Sequence, residues 1–126
     1  MQVRRALAMF FAAAVSLSVS AAPSESTQSE IDYLFNYLKS SGCKFHRNGK
    51  WHTAEAASDH LRTKYDYLLK KEMVTSTEAF LKHGAARSSM SSKPYLVQCA
   101  GSAPVESASW FSAELTRFRA KNPAGR

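Results

Sequence analysis

The sequence predicts an α+β fold: a small antiparallel sheet, made of a β-hairpin and one later strand, packed with about four helices and carrying one disulfide. Three observations carry that expectation. Apolar residues recur at helical spacing around Leu34, Leu61 and Leu115. Asn48-Gly49 separates two short alternating runs, the pattern of a tight hairpin. Cys43 and Cys99 each adjoin a segment that reads as a strand.

The chain opens MQVRRALAMFFAAAVSLSVSAAPSES. Arg4 and Arg5 form a positive start, Ala6 to Val19 is a short apolar run, and small residues precede a cut after Ala21 or Ala22. This is the layout of a secretory signal peptide over residues 1–21. The run is shorter than the roughly 20 residues a membrane helix needs, and no later segment is apolar enough for one. No cysteine follows the cleavage region to carry a lipid. The expectation is a bacterial protein, periplasmic or secreted, whose residues 22–126 make a single small α+β domain with flexible ends.

Within that domain, Pro23 to Ser29 reads as a polar, flexible start. Ile31, Leu34, Phe35 and Leu38 form the stripe of a first helix, stopped at Ser40-Ser41-Gly42, with Gly42 suited to a left-handed cap. CKFHR and KWH then flank the Asn48-Gly49 turn. A two-residue turn sets Arg47 opposite Lys50, His46 opposite Trp51 and Phe45 opposite His52. Alternation places Cys43, Phe45 and His52 on the inner face, and Lys44, His46 and Trp51 on the other.

Thr53 caps a second helix whose buried stripe is Ala57, Leu61, Tyr65 and Leu68. His60, Lys64 and Tyr67 lie beside that stripe, and Asp59, Arg62 and Asp66 are spaced for surface salt bridges. Thr75 to Glu78 has the spacing of a capping box, so a third, shorter helix runs to about His83, with Gly84 at or near its end. Ala85 to Lys93 reads as a flexible serine-rich loop, Pro94 to Cys99 as a strand, and Gly101 to Glu106 as a turn. Ser107 or a neighbour caps a last helix carrying Phe111, Leu115 and Phe118, with Trp110 at its edge and a frayed tail from Lys121.

The two cysteines form an even pair in an oxidising compartment, most simply a Cys43–Cys99 disulfide. It would stabilise a domain of this size by about 4 kcal/mol in the chain-entropy model, and would hold hairpin and strand in register. The alternative, a reactive thiol pair, lacks CxxC spacing.

The formal charge is +7, of which Arg4 and Arg5 supply two, leaving +5 after cleavage. That balance favours anionic partners. An exported address argues against nucleic acid and for an envelope protein or another anionic envelope component. Motifs for chemistry are absent. His46, His52, His60 and His83 make no HExxH pair or CxxC knuckle, so no metal and no cofactor is expected. GxSxG does not occur, and no carboxylate pair stands out in an apolar setting.

The basic and aromatic residues form a more promising constellation. Arg47, Lys50, His60, Arg62, Lys64 and Lys93 come from the hairpin tip, the second helix and the start of the later strand. Brought together, they offer guanidinium and ammonium donors to carboxylate or phosphate, with Trp51, Tyr67 and Tyr95 as flat contacts. The plainer reading is that Arg47 and Lys50 solvate a turn and Arg62 pairs with Asp59 or Asp66.

Phe45-His46-Arg47-Asn48-Gly49, His60-Leu61-Arg62-Thr63-Lys64 and Lys93-Pro94-Tyr95-Leu96-Val97 follow the pattern F-x-R-N-G, H-L-R-x-K and K-P-Y. In that order and spacing they resemble the YfeK-like family of small bacterial periplasmic proteins, a domain of unknown function. The resemblance runs from the first helix to the last. It implies an exported address and a small α+β domain, and brings no activity with it. The family's usual S/T-G-K-P-Y stands here as Ser91-Ser92-Lys93-Pro94-Tyr95, with serine in place of glycine.

The resulting expectation is a non-catalytic accessory or binding domain. Arg47, Asn48, His60, Arg62, Lys64, Lys93 and Tyr95 would bind an acidic protein or envelope component. Two other classes stand beside it. One is an envelope hydrolase or transferase with His60 as general base, the other a purely structural envelope protein.

Overall fold

The computed structural model describes residue 3, residues 6–16 and residues 22–123. Arg4, Arg5 and the cleavage region up to Ala21 lie outside the described residues, as does the end of the predicted tail. Residues 6–16 form no regular element, and Phe10 and Phe11 are 97% and 93% exposed.

Helix α1 runs Glu25–Ser40, so most of the segment expected to be a flexible start is helical. The reason is local. Ser24 Oγ accepts the Thr27 N–H at 3.1 Å, and Glu25 lies in the positive first turn. Ile31, Leu34, Phe35 and Leu38 are buried as the periodicity requires, and Gly42 takes φ +67° just past the helix end.

Strands β1 (Lys44–Arg47) and β2 (Lys50–His52) pair antiparallel with Phe45↔His52, His46↔Trp51 and Arg47↔Lys50, the predicted register. Asn48 and Gly49 both have positive φ (48° and 82°), which a type I′ turn demands. Phe45 is buried and Lys44 and Trp51 are exposed, so the inner face is the one alternation gave.

Helix α2 spans Ala54–Lys70, with Thr53 Oγ1 accepting the Ala56 N–H. Its buried residues include Leu61, Tyr65 and Leu68. The expected salt bridges from Arg62 to Asp59 or Asp66 do not form. The Arg62 guanidinium instead lies 3.8 Å from the centre of the buried Phe35 ring on α1, where stacking on an aromatic face outweighs an exposed ion pair.

Helix α3 (Thr77–Phe80) is capped by Ser76, one residue later than the capping-box reading, and continues as a π-helical turn over Leu81–Ala85. Thr77 is 1% exposed, and its hydroxyl donates to Glu30 Oε1 at 2.7 Å. Gly84 is a packing residue: a Cβ there would stand 2.9 Å from Phe80 Cε2.

The serine-rich loop is tightly built. Ser88 is 4% exposed and its Oγ accepts the N–H groups of Met90 and Ser91. The Ser91 hydroxyl donates to Asn48 Oδ1 at 2.9 Å, fastening the loop to the hairpin tip. Ser92 has φ +60°, a left-handed conformation at the position where the resemblance carries glycine.

Strand β3 (Leu96–Gln98) pairs antiparallel with β1, setting Phe45 opposite Val97, and the Cys43–Cys99 disulfide forms just beyond the Lys44↔Gln98 pair. A further strand, β4 (Val105–Glu106), lies where a turn was expected and completes a sheet of order β2-β1-β3-β4. Two exposed residues leave no alternation to read.

Helix α4 (Ser107–Lys121) follows directly. Ser107 does not cap it: the side chain is buried, and its hydroxyl donates to the Ala85 carbonyl at 2.6 Å. Phe111 and Leu115 enter the core while Phe118 packs on Tyr33. Helices thus cover the face of the sheet bearing Phe45 and Val97, and the core lies between the two layers.

Candidate functional site

A recess opens between the sheet and α2. Alternation along β1 puts Arg47 on the same inner face as Phe45, and the register sets His52 opposite Phe45. Both therefore look toward α2, which presents Ala56, Ala57, His60 and Leu61 along one side. His46 from β1, Ala85 from the π-helical turn, Tyr95 from the approach to β3, and Ser107 and Phe111 from α4 complete the wall. The recess is partly open, and the space a water-sized group can enter is about 20 Å³, room for about one such group.

Tyr95 organises the polar side. It is 6% exposed, and its hydroxyl lies 3.1 Å from His60 Nε2. Lys64, one turn along α2 from His60, donates to the same hydroxyl at 3.1 Å and to the Arg87 carbonyl at 2.9 Å. Because the ammonium can only donate, the Tyr95 oxygen accepts from Lys64, and the direction of its contact with His60 follows the imidazole tautomer.

The electrostatics follow from burial among like charges. Burial lowers the His60 pKa below the ordinary imidazole value, and Arg47, Lys64 and His52 each lower it further. Lys64 is brought down to about 8, first by burial and then by Arg47. Burial raises the Tyr95 pKa, opposed by Arg47. Among the described residues, Arg47, His60 and Lys64 form no ion pair with a carboxylate.

Four of the seven sequence-predicted residues, Arg47, His60, Lys64 and Tyr95, are thus brought together. Asn48 and Lys93 sit outside the recess: Asn48 is exposed and bound to Ser91, and Lys93 is exposed on the serine loop. Arg62 lies away from the cluster, on Phe35. His52 belongs to the site too, and its place opposite Phe45 is the signal in the sequence that points to it. Ser107 and Ala85 were not foreseeable, since their part depends on where the π-helical turn meets α4.

Among the described residues no group of three or more His, Cys, Asp or Glu side chains is placed to hold a metal ion. No described helix is long and apolar enough to cross a membrane.

A model for a family of unknown function, DUF5329, matches residues 25–119, from the first turn of α1 into the last turns of α4. The chain belongs to that family. No match is found among curated proteins or among solved structures. The span matched by DUF5329 holds the whole sheet, the disulfide and every residue of the recess.

Proposed function

We propose that this chain is an exported, non-catalytic binding domain that holds an acidic group of an envelope partner in the recess of Arg47, His60, Lys64 and Tyr95. The observation that carries this reading is the convergence of like-charged and protonatable groups with no carboxylate to balance them. A cluster that lowers its own proton affinities is costly to the fold, and an arriving anion relieves that cost. Export by a signal peptide over residues 1–21, a single mature domain over 22–126, and kinship with the YfeK-like periplasmic proteins belong to the same proposal. Support for these comes from the order of the three motifs, from the disulfide, and from the exposure of Phe10 and Phe11.

The test is cross-linking and pull-down in cells with tagged, oxidised protein, comparing wild type, Arg47→Ala/His60→Asn and Arg62→Ala, each shown folded by circular dichroism. A partner kept by wild type and Arg62→Ala, and lost by the double variant, supports the recess as the binding site. Equal recovery by all three removes its basis.

A second reading is favoured by one observation, the 3.1 Å contact of His60 Nε2 with the Tyr95 hydroxyl inside a concavity. In it His60 is the general base of an envelope hydrolase or transferase. That reading predicts that His60→Gln captures a partner or substrate normally and fails to turn it over, whereas a binding site loses the capture itself.

A further inference from the structure

The recess is built of two chemically different parts. Its depth is apolar, formed by Ala57, Leu61, Ala85 and Phe111. The polar groups nearby are already engaged: the Ser107 hydroxyl donates to the Ala85 carbonyl at 2.6 Å, and the Ser107 N–H donates to the Tyr95 carbonyl at 2.9 Å. At its rim stand Arg47, His52, His60 and the Tyr95 hydroxyl. A bare inorganic anion would satisfy the rim and leave the apolar depth unfilled. A bulky apolar group would have to force the depth apart, since the space there open to a water-sized group is about 20 Å³.

From this pairing we infer that the recess recognises a carboxylate with a methyl group on its α-carbon and an acylated nitrogen, as presented by the C-terminal alanine of a peptide. The methyl fills the apolar depth. The carboxylate lies against Arg47, whose planar guanidinium matches its two oxygens, and takes a further hydrogen bond from the Tyr95 hydroxyl when His60 Nε2 donates to that oxygen. The acylated nitrogen is required because a free α-ammonium would meet the field of Arg47, His52, His60 and Lys64. Lys64 is a positioning residue here: its bonds to the Arg87 carbonyl and to Tyr95 fix the phenol at the rim. This inference rests on the anion-binding reading above and narrows it to one chemical class.

The experiment is an NMR titration of the oxidised protein, following the side-chain signals of His60 and Tyr95. The probes are N-acetyl-L-alanine, N-acetylglycine, N-acetyl-L-phenylalanine, N-acetyl-L-alaninamide, free L-alanine, propionate and inorganic phosphate. Saturable shifts with N-acetyl-L-alanine are expected, with about fourfold weaker binding for N-acetylglycine, the equivalent of one buried methyl. Phenylalanine and free alanine should bind at least roughly tenfold more weakly, and the amide should give no saturation. Arg47→Ala should lose the titration and Arg62→Ala keep it. Phosphate, phenylalanine or the amide binding as tightly as N-acetyl-L-alanine overturns the inference. Equal affinity for propionate overturns the assignment to a peptide terminus. If no small carboxylate shifts these signals while capture in cells still depends on Arg47 and His60, this inference falls and the broader reading stands. If capture is also independent of them, both fall.

Discussion

His60 is held where a proton is least welcome, among Arg47, Lys64 and His52 and partly removed from water. A bound carboxylate reverses that setting, so it raises the proton affinity of His60, and protonation in turn raises affinity for the carboxylate. Affinity for N-acetyl-L-alanine, measured by calorimetry, should therefore increase from pH 7 to pH 5, below the range in which Lys64 gains its proton, and His60→Asn should flatten the dependence. Stability follows the same shift with the opposite sense. Because the folded pKa lies below the unfolded one, the stability contributed by this residue is complete above about 6.5 and is lost as pH falls through the folded value. A second residue-scale expectation concerns Ser92, whose φ of +60° suits glycine better than serine. Ser92→Gly should stabilise the fold by about 1 kcal/mol, the cost of the left-handed conformation less the extra freedom of glycine in the unfolded chain. A higher denaturant midpoint at constant slope would show it, and an unchanged or lower midpoint would refute it.

At the scale of elements, α1, α3 and α4 are joined by a polar knot. Arg119 donates to both oxygens of Glu30, from Nε at 2.6 Å and Nη2 at 3.0 Å, and also pairs with Glu78. The Thr77 hydroxyl donates to the same Glu30 carboxylate at 2.7 Å. The Glu30 side chain is only 5% exposed, so removing Arg119 takes the cation away from a buried carboxylate. Arg119→Ala should cost about 3 kcal/mol in urea unfolding at neutral pH, whereas Arg117→Ala should cost less, because Arg117 is itself 57% exposed and its partner Glu114 keeps the Tyr33 hydroxyl. Comparable losses for the two would show that the knot contributes nothing special. None of this was legible in the sequence, because Glu30, Thr77 and Arg119 are brought together only by the packing of helices far apart in the chain. What could be read was whatever local chemistry decides: the helix stripes, the Asn48-Gly49 turn, and the register that follows from it. The same distinction holds at the site. Arg47, His60, Lys64 and Tyr95 were found as residue types on predicted elements. Exclusion of Arg62 depended on the Phe35 ring, and inclusion of His52 on what α2 places opposite the hairpin.

For the molecule as a whole, the disulfide and the recess lie at opposite ends of the β1–β3 pair. Cys43 and Cys99 follow the Lys44↔Gln98 pair at one end, and beyond the His46↔Leu96 pair at the other stand Arg47 and Tyr95. From the sequence alone, the bridge is expected to hold the hairpin and strand in register. The pairing gives that task to the Phe45↔Val97 and His46↔Leu96 contacts and to the buried side chains beneath them. A cross-link between residues 56 apart then acts chiefly on the unfolded chain, whose freedom it limits by about 4 kcal/mol. That is a large share of the roughly 5–15 kcal/mol a domain holds in total. Replacing both cysteines, as Cys43→Ser/Cys99→Ser, should lower the denaturant midpoint accordingly. Under conditions where the variant remains folded, it should bind N-acetyl-L-alanine within about twofold of wild type, since structure near the recess does not rely on the bridge. A folded variant that had lost that binding would show the opposite: the covalent link itself sets the strand register on which Arg47 and Tyr95 meet.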